Sequence, residues 1–143
     1  MASLQEGVKD IWKGITEEQV DLYIEAARKW EAMPENFYPP VEGGVETIHW
    51  LRENGVKTAI CTTNHYEGLK ERLGKVDIDM SWFDATSTSD WKYPKPDPRA
   101  FDPILEIIQV PKDHMVYIGD IVFDWRAAQG AGIPFLAALS GGT

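Results

Sequence analysis

The stretch Met115-Val-Tyr-Ile-Gly-Asp-Ile-Val-Phe-Asp124 is the most informative part of this chain. Its apolar first half predicts a buried strand over residues 115–119, and its second half predicts a helix over residues 122–129. Asp120 follows the strand directly, and Asp124 comes four residues later. Ligands of parallel α/β sheets bind beyond the carboxyl ends of the strands. Both carboxylates are therefore candidate ligands for a metal such as Mg²⁺, which prefers oxygen atoms.

The same alternation of strand and helix continues on both sides of this stretch. Apolar and threonine-rich runs predict further strands over residues 56–61, 83–89 and 133–139. Helical spacing of apolar residues predicts helices over residues 16–33, 45–54, 66–74 and 101–108. This order predicts an α/β fold, a Rossmann-like parallel sheet with helices on both faces.

Polar side chains also follow two of the other predicted strands. Thr62, Thr63 and Asn64 lie where a strand passes into a helix, and hydroxyls with unpaired N–H groups at a helix N-terminus bind anions. Lys95, within a proline-rich loop, is suited to neutralise a phosphate or a carboxylate. Simpler interpretations stay open. Thr62, Thr63 and Asn64 can be caps of the following helix, and Lys95 can be an ordinary exposed lysine.

The two aspartates have simpler interpretations as well. Asp120 can act as the N-cap of the helix that begins near residue 122, and Asp124 can favour the positive end of that helix. Four polar elements in one order, all at the same end of the strands, nevertheless favour a common site.

Composition excludes several classes of function. The formal charge of −9 argues against a nucleic-acid partner, because phosphate backbones need a positive surface. No apolar run approaches the roughly 20 residues of a membrane span. Cys61 is the only cysteine, so no disulfide framework is expected and the cytoplasm is the default location.

These motifs resemble the haloacid dehalogenase (HAD) superfamily from about Pro39 to Ser140. Thr62 matches its second motif, Lys95 its third, and Asp120 with Asp124 its fourth. The resemblance implies that Thr62, with the neighbouring Thr63 and Asn64, binds a phosphoryl group. It also implies that Lys95 is catalytic and that Asp120, the first acid of the fourth motif, ligates Mg²⁺, with Asp124 as a second candidate ligand.

The acidic fourth motif is similar to the Mg²⁺-dependent phosphatases of phosphoglycolate phosphatase type rather than to the metal-free dehalogenases. The resemblance therefore implies hydrolysis of a small phosphorylated metabolite. Residues 1–37 are similar to the closing helices of a partial α-helical cap, and residues 38–143 to an incomplete core.

The first motif of the superfamily, an Asp-x-Asp after the first strand, has no counterpart here. Asp77 and Asp79 have the right letters but lie between the second and third motifs, where a surface loop is predicted. The isolated chain is therefore expected to show little phosphatase activity and weak or absent Mg²⁺ binding. The alternative is a non-catalytic, truncated HAD-like protein that acts in binding or self-association.

The absent motif also removes the central strand of the sheet. Its loss leaves a gap of about 9.6 Å, two strand spacings, between the strands at 56–61 and 115–119. The gap can be closed by direct pairing, by a strand of another copy, or by polypeptide outside this chain. A homodimer formed by strand exchange is expected, with Gly7–Trp12 as a candidate for the exchanged segment and a frayed helix as its alternative.

Overall fold

A computed structural model describes residues 13–33 and 39–139 of the chain. The candidate exchange segment Gly7–Trp12 lies outside these residues, as do residues 34–38 of the predicted cap segment. The division into a cap segment and a core therefore stays a prediction. Among the described helices, none has the length and apolarity needed to cross a membrane.

Helices and strands alternate through the described residues, as the sequence predicted. The helices are α1 (Glu17–Ala32), α2 (Gly44–Glu53), α3 (Tyr66–Gly74), α4 (Asp102–Ile108) and α5 (Val122–Ala131). The strands are β1 (Ala59–Cys61), β2 (Ala85–Ser87), β3 (Tyr117–Gly119) and β4 (Phe135–Ala137). Single 3₁₀ turns lie at Met80–Trp82, Pro98–Phe101 and Lys112–His114. The predicted α/β class is confirmed.

Helix α1 begins at a capping box. The Thr16 N–H donates to Gln19 Oε1 at 3.0 Å, and the Gln19 N–H donates to Thr16 Oγ1 at 3.3 Å. These two bonds satisfy N–H groups that the first helical turn leaves unpaired. Val20 and Ile24, one turn apart, are buried, so the helix presents an apolar stripe on one side.

The four strands form two separate parallel pairs. In one pair Ala59 lies opposite Ala85, and in the other Tyr117 lies opposite Phe135. No ladder joins β1 to β3 among the described residues. The sheet is therefore divided where the resemblance placed the missing central strand, and direct pairing of the flanking strands does not close the gap.

Each strand is shorter than the sequence predicted. All four contain three residues, whereas the apolar runs suggested five to seven. Single hydrogen bonds extend the first ladder, from the Asp84 N–H to Thr58 O at 2.7 Å and from the Thr62 N–H to Ser87 O at 2.9 Å. Because each strand has one paired neighbour instead of two, hydrogen bonding does not hold the flanking residues in a regular ladder.

The core lies between the strands and the last two helices. Its buried members are Ala85, Phe101, Ile104, Ala127, Ala128, Ala131 and Ile133. Small residues on α5 allow the turn at Pro98–Phe101 to approach closely, and a Cβ at Gly130 would lie 3.0 Å from Pro98 Cβ. The Phe101 ring packs edge-on against Tyr117, with centroids 4.8 Å apart. This packing brings the loop that carries Lys95 against the start of α5.

Candidate functional site

Lys95, Tyr117 and Asp124 form a buried polar cluster at the carboxyl ends of the strands. Lys95 Nζ donates to Asp124 Oδ1 at 2.5 Å and to Tyr117 Oη at 2.7 Å. The hydroxyl proton of Tyr117 lies within reach of Cys61 O at 3.0 Å and of Asp124 Oδ1 at 3.1 Å. The cluster therefore joins four segments: the end of β1, the loop after β2, strand β3 and the start of α5.

The burial of Lys95 contradicts its interpretation as an ordinary surface lysine. Its side chain is 6% exposed, and that of Asp124 is 5% exposed. Burying an ammonium or a carboxylate without compensation costs several kcal/mol. Each group compensates the other, which explains why both charges are tolerated inside the protein.

Asp124 accepts four hydrogen bonds. Besides Lys95 and Tyr117, the backbone N–H groups of Asp120 and Ile121 donate to its Oδ2 at 3.1 and 3.4 Å. Burial, the largest single effect, favours the neutral acid, but these bonds and the Lys95 charge outweigh it and hold the pKa of Asp124 below its ordinary value. Asp124 thus lies at the positive end of α5, as its simpler interpretation required.

Gly119 allows this arrangement because its backbone lies against Asp124. A Cβ at Gly119 would lie 2.5 Å from both Cβ and Oδ2 of Asp124, which is closer than atoms can pack. This close contact explains why glycine is the residue before Asp120. Any side chain at that position would push the Asp124 carboxylate away from Lys95.

Asp120 takes a different position. Its backbone N–H belongs to the cluster, whereas the residue itself is exposed at the end of β3. The N-cap of α5 is Ile121, so the N-cap interpretation of Asp120 is wrong. The exposed carboxylate stays a predicted metal ligand.

The described residues do not by themselves form a magnesium site. They contain no group of three or more histidine, cysteine, aspartate or glutamate side chains able to hold a metal ion. Both carboxylate oxygens of Asp124 already accept hydrogen bonds, so Asp120 is the better placed of the two predicted ligands. Since Mg²⁺ is octahedral and keeps several waters, Asp120 would need water molecules and phosphate oxygens as the other ligands.

Thr62, Thr63 and Asn64 form the turn between β1 and α3. Thr62 Oγ1 accepts the Asn64 N–H at 3.1 Å, which leaves the hydroxyl proton of Thr62 for an incoming acceptor. Asn64 O accepts the Ser89 N–H at 2.9 Å, which ties this turn to the chain after β2. Thr62 and Asn64 are half-buried, and Thr63 is exposed.

The cap of α3 is His65 rather than any of these three residues. His65 Nδ1 accepts the Gly68 N–H at 2.9 Å, and the Asp90 carboxylate accepts the Tyr66 N–H at 2.7 Å. The interpretation of Thr62, Thr63 and Asn64 as side-chain caps of the helix is therefore wrong. The position of His65 directly before the helix was the available signal, but no sequence pattern indicated Asp90.

The sequence analysis also missed Tyr117. Side chains alternate between the two faces of a strand, so Tyr117 lies on the same side of β3 as Gly119. That alternation placed the hydroxyl near the strand end, but its contacts with Lys95 and Cys61 depend on elements distant in the sequence.

The chain belongs to the haloacid dehalogenase-like hydrolase family, whose model matches residues 4–138. A pyrophosphatase, PpaX, of Halalkalibacterium halodurans is 26% identical over 125 residues, which cover 87% of this chain and 58% of that protein. A phosphoglycolate phosphatase of Pseudomonas aeruginosa is 29% identical over 134 residues, covering 90% of this chain and 47% of that protein. The chain thus spans about half the length of the curated relatives it matches.

Solved structures have the same fold. A hydrolase from Pseudomonas syringae superposes with a TM-score of 0.80 at 26% identity, over 99% of this chain and 65% of that one. CbbY from Rhodobacter sphaeroides, determined in complex with phosphate, superposes with a TM-score of 0.72 at 20% identity, over 87% of this chain and 56% of that one. The predicted membership of the HAD superfamily is confirmed.

Proposed function

We propose that this chain is the phosphate-binding core of a phosphatase that acts on a small phosphomonoester. The relatives with phosphatase and pyrophosphatase names support this class of reaction. The observation that carries the proposal is the buried Lys95, which lies beside Asp124 at the carboxyl ends of β2 and β3. A fixed cation at that edge of a parallel sheet is suited to hold an anionic ligand.

Thr62 and Lys95 would bind the phosphoryl group together. The Asn64 N–H donates to a lone pair of Thr62 Oγ1. This bond does not use the hydroxyl proton, which would therefore donate to a phosphate oxygen. Lys95 has three N–H donors, and its hydrogen bonds to Asp124 and Tyr117 use two of them. The third is left for a ligand, and Thr63 with Asn64 would line the same anion site.

Magnesium enters this proposal as a weakly bound ion. When bound, Mg²⁺ would supply positive charge to the phosphate, and Asp120 is the residue of this chain that would hold it, with Asp124 as a second candidate. Because the described residues lack a full set of ligands, we expect weak binding without substrate. We also place the protein in the cytoplasm, where its single free thiol would stay reduced.

The isolated chain would show little turnover. The resemblance to the family implies that the covalent nucleophile lies in the Asp-x-Asp motif, which has no counterpart in these residues. Removing a covalent nucleophile costs on the order of 10⁶ in turnover. Assay with p-nitrophenyl phosphate and Mg²⁺ tests this expectation. A turnover near 1 per second that disappears in Asp120→Ala would contradict it.

Titration calorimetry with inorganic phosphate tests the binding site without requiring turnover. Thr62→Val preserves shape and removes the hydroxyl, so it should weaken phosphate binding by roughly tenfold. Thr47→Val, which removes an exposed hydroxyl bonded to Gly43 O at 2.6 Å on α2, is the matched control and should leave binding unchanged. Equal binding by wild type and Thr62→Val would remove Thr62 from the site.

A second candidate function is a non-catalytic role in binding. It is favoured by the complete engagement of Asp124 within the protein and by the open division of the sheet. In that case phosphate would bind without any hydrolysis, even when the chain is joined to the polypeptide that its relatives carry in addition. A phosphatase assay of this chain joined to such a polypeptide separates the two candidates.

A further inference from the structure

The hydroxyl of Tyr117 connects groups that come from distant parts of the chain. It accepts a hydrogen bond from Lys95 Nζ at 2.7 Å, and its own proton lies within reach of Cys61 O at 3.0 Å and of Asp124 Oδ1 at 3.1 Å. A tyrosine hydroxyl can accept and donate at the same time. Tyr117 therefore links the buried ammonium of Lys95 to the backbone at the end of β1.

The carbonyl of Cys61 is the acceptor that depends on this hydroxyl. Asp124 accepts three other hydrogen bonds, one from Lys95 Nζ and two from backbone N–H groups. A backbone carbonyl that is withdrawn from water requires a partner, and the partly buried hydrogen bond from Tyr117 Oη supplies one to Cys61 O. The hydroxyl thereby fixes the direction of the peptide group that follows Cys61.

That peptide group joins Cys61 to Thr62, and it is held from both sides. Its carbonyl accepts the hydrogen bond from Tyr117 Oη, and its N–H, which belongs to Thr62, donates to Ser87 O on β2 at 2.9 Å. The Thr62 side chain is tied as well, because its Oγ1 accepts the Asn64 N–H at 3.1 Å. Contacts from β2 and from β3 therefore both determine where the Thr62 hydroxyl lies.

The ring of Tyr117 is itself held in place by two aromatic neighbours. Phe101, which is 3% exposed, packs edge-on against the ring with centroids 4.8 Å apart. Phe135 of β4 packs at a tilt, with centroids 6.1 Å apart. Edge-on and offset arrangements are the favourable ones for aromatic pairs. The hydrophobic core therefore determines where the Tyr117 hydroxyl lies, and the hydroxyl can in turn hold its polar partners.

We propose that Tyr117 is a positioning residue for the phosphate site: its hydroxyl fixes the Thr62 hydroxyl relative to the Lys95 ammonium, so that both donate to one anion. The inference rests on the proposed function, in which Thr62 and Lys95 bind the phosphoryl group. Donors that are ordered in advance lose less conformational entropy when the ligand binds. Tyr117 does not donate to the anion, because its proton is used within the protein. It also lies outside the motifs that carry the family resemblance.

The simpler role of the hydroxyl is to satisfy Cys61 O without any effect on the ligand. In that case, Tyr117→Phe would lower the stability of the chain and leave the phosphate affinity of the folded protein unchanged. A positioning role predicts instead that the folded variant loses affinity. It also predicts that the loss depends on Thr62, because Tyr117 acts on the anion through that residue.

Titration calorimetry of the whole chain with inorganic phosphate tests the first prediction. Tyr117→Phe removes the hydroxyl and keeps the ring, and it should weaken phosphate binding by roughly tenfold. Thr58→Val is the matched control, because it removes another partly buried hydroxyl, which donates to Trp82 O at 2.8 Å beside the amino end of β1. The control should lose a similar amount of stability and bind phosphate like wild type. Circular dichroism checks that both variants fold.

A double-mutant cycle gives the measurement that a merely structural role would not change. If the hydroxyl acts through Thr62, Thr62→Val removes the group that Tyr117 positions, so the two losses of affinity should not add. We expect the variant with both Tyr117→Phe and Thr62→Val to bind phosphate roughly tenfold to thirtyfold more weakly than wild type, whereas independent effects would give roughly a hundredfold. Thr58→Val combined with Thr62→Val should bind like Thr62→Val alone.

Three outcomes would overturn this inference and leave the proposed function standing. Wild-type affinity in the folded Tyr117→Phe variant would show that the hydroxyl does not hold the site. Equal losses in Tyr117→Phe and Thr58→Val would show a general loosening of β1. A loss in the double variant equal to the product of the single losses would show that Tyr117 acts independently of Thr62. If wild type itself binds no phosphate, the proposed function is wrong and the inference falls with it.

Discussion

The polar cluster at the carboxyl ends of the strands and the space between β1 and β3 differ in how their groups are paired. At the carboxyl ends, Lys95, Tyr117 and Asp124 meet each other's hydrogen-bonding needs, and no buried side-chain nitrogen or oxygen among the described residues lacks a partner. Between β1 and β3, in contrast, no ladder joins the two strands among the described residues, and both line an apolar cleft of about 660 Å³. Among the described residues, the side chains of the polar cluster are fully paired, whereas the two strand pairs are not joined into one sheet.

This difference indicates that the polar cluster and the strand pairs are held together by different interactions. Residues of four segments assemble the cluster through side-chain contacts, which need no central strand. Backbone hydrogen bonds, in contrast, hold β1 to β2 and β3 to β4. Breaking each region separately should therefore have separable effects.

The largest effect is expected from Lys95→Met, which keeps the length of the side chain but leaves Asp124 buried without its cation. Removing one partner of a buried ion pair costs about 3–5 kcal/mol of unfolding free energy. Urea denaturation measures this loss. Lys57→Met is the control, because its pair with Asp84 at 2.8 Å is exposed and is worth less than about 1 kcal/mol. Equal losses in the two variants would show that the cluster is not a buried unit.

A smaller effect is expected from Gly119→Ala. The added methyl group would overlap Asp124, and relieving such overpacking costs about 1–3 kcal/mol. Gly74→Ala is the control, since a Cβ there meets nothing within 4 Å and alanine is the better helix former. We expect the control to unfold at the same or a slightly higher urea concentration. A neutral Gly119→Ala would mean that Asp124 can move without cost.

Tyr117→Phe tests the link between the two regions. The hydroxyl bonds Cys61 O on β1 and two members of the cluster, so its loss should cost about 1 kcal/mol. Tyr66→Phe, at a residue that is 44% exposed, should be neutral in the same thermal or urea denaturation. If both variants unfold like wild type, the hydroxyl does not connect β1 to β3 in solution.

The smallest effect concerns Cys61, whose thiol lies beside both regions. Burial, reinforced by the negative charge of Asp124 and opposed by the Lys95 charge, raises the pKa of Cys61 to about 11. At pH 8 the folded thiol should therefore react with iodoacetamide about a hundredfold more slowly than the thiol of the urea-unfolded chain. Rapid modification of the folded chain would show that the end of β1 is open to solvent.

The same shift makes a prediction about alkaline stability. The pKa of Cys61 is raised on folding, so the folded state retains its proton at a pH where the unfolded state loses it. The contribution to stability is present below about pH 9 and is lost between about pH 9 and pH 11. Cys61→Ala should remove this part of the pH dependence in urea titrations.

The sequence predicted the helices and the order of strands because amphipathic periodicity and capping are local. Thr16 and Gln19 lie three residues apart, and their reciprocal hydrogen bonds form within one turn. Strand lengths were less well predicted, because a strand continues only where a neighbour pairs with it, and that neighbour is distant in the sequence or absent.

Among the site residues, sequence alone placed Thr62, Lys95, Asp120 and Asp124 at one end of the strands and identified the family that the comparison confirms. It could not show that Lys95 is buried, that Asp124 accepts four hydrogen bonds, or that Tyr117 completes the cluster. Those facts depend on how the loop after β2 packs against α5. Tertiary structure decided them because hydrogen bonds and burial link residues 22 to 56 positions apart, at distances that no local pattern encodes.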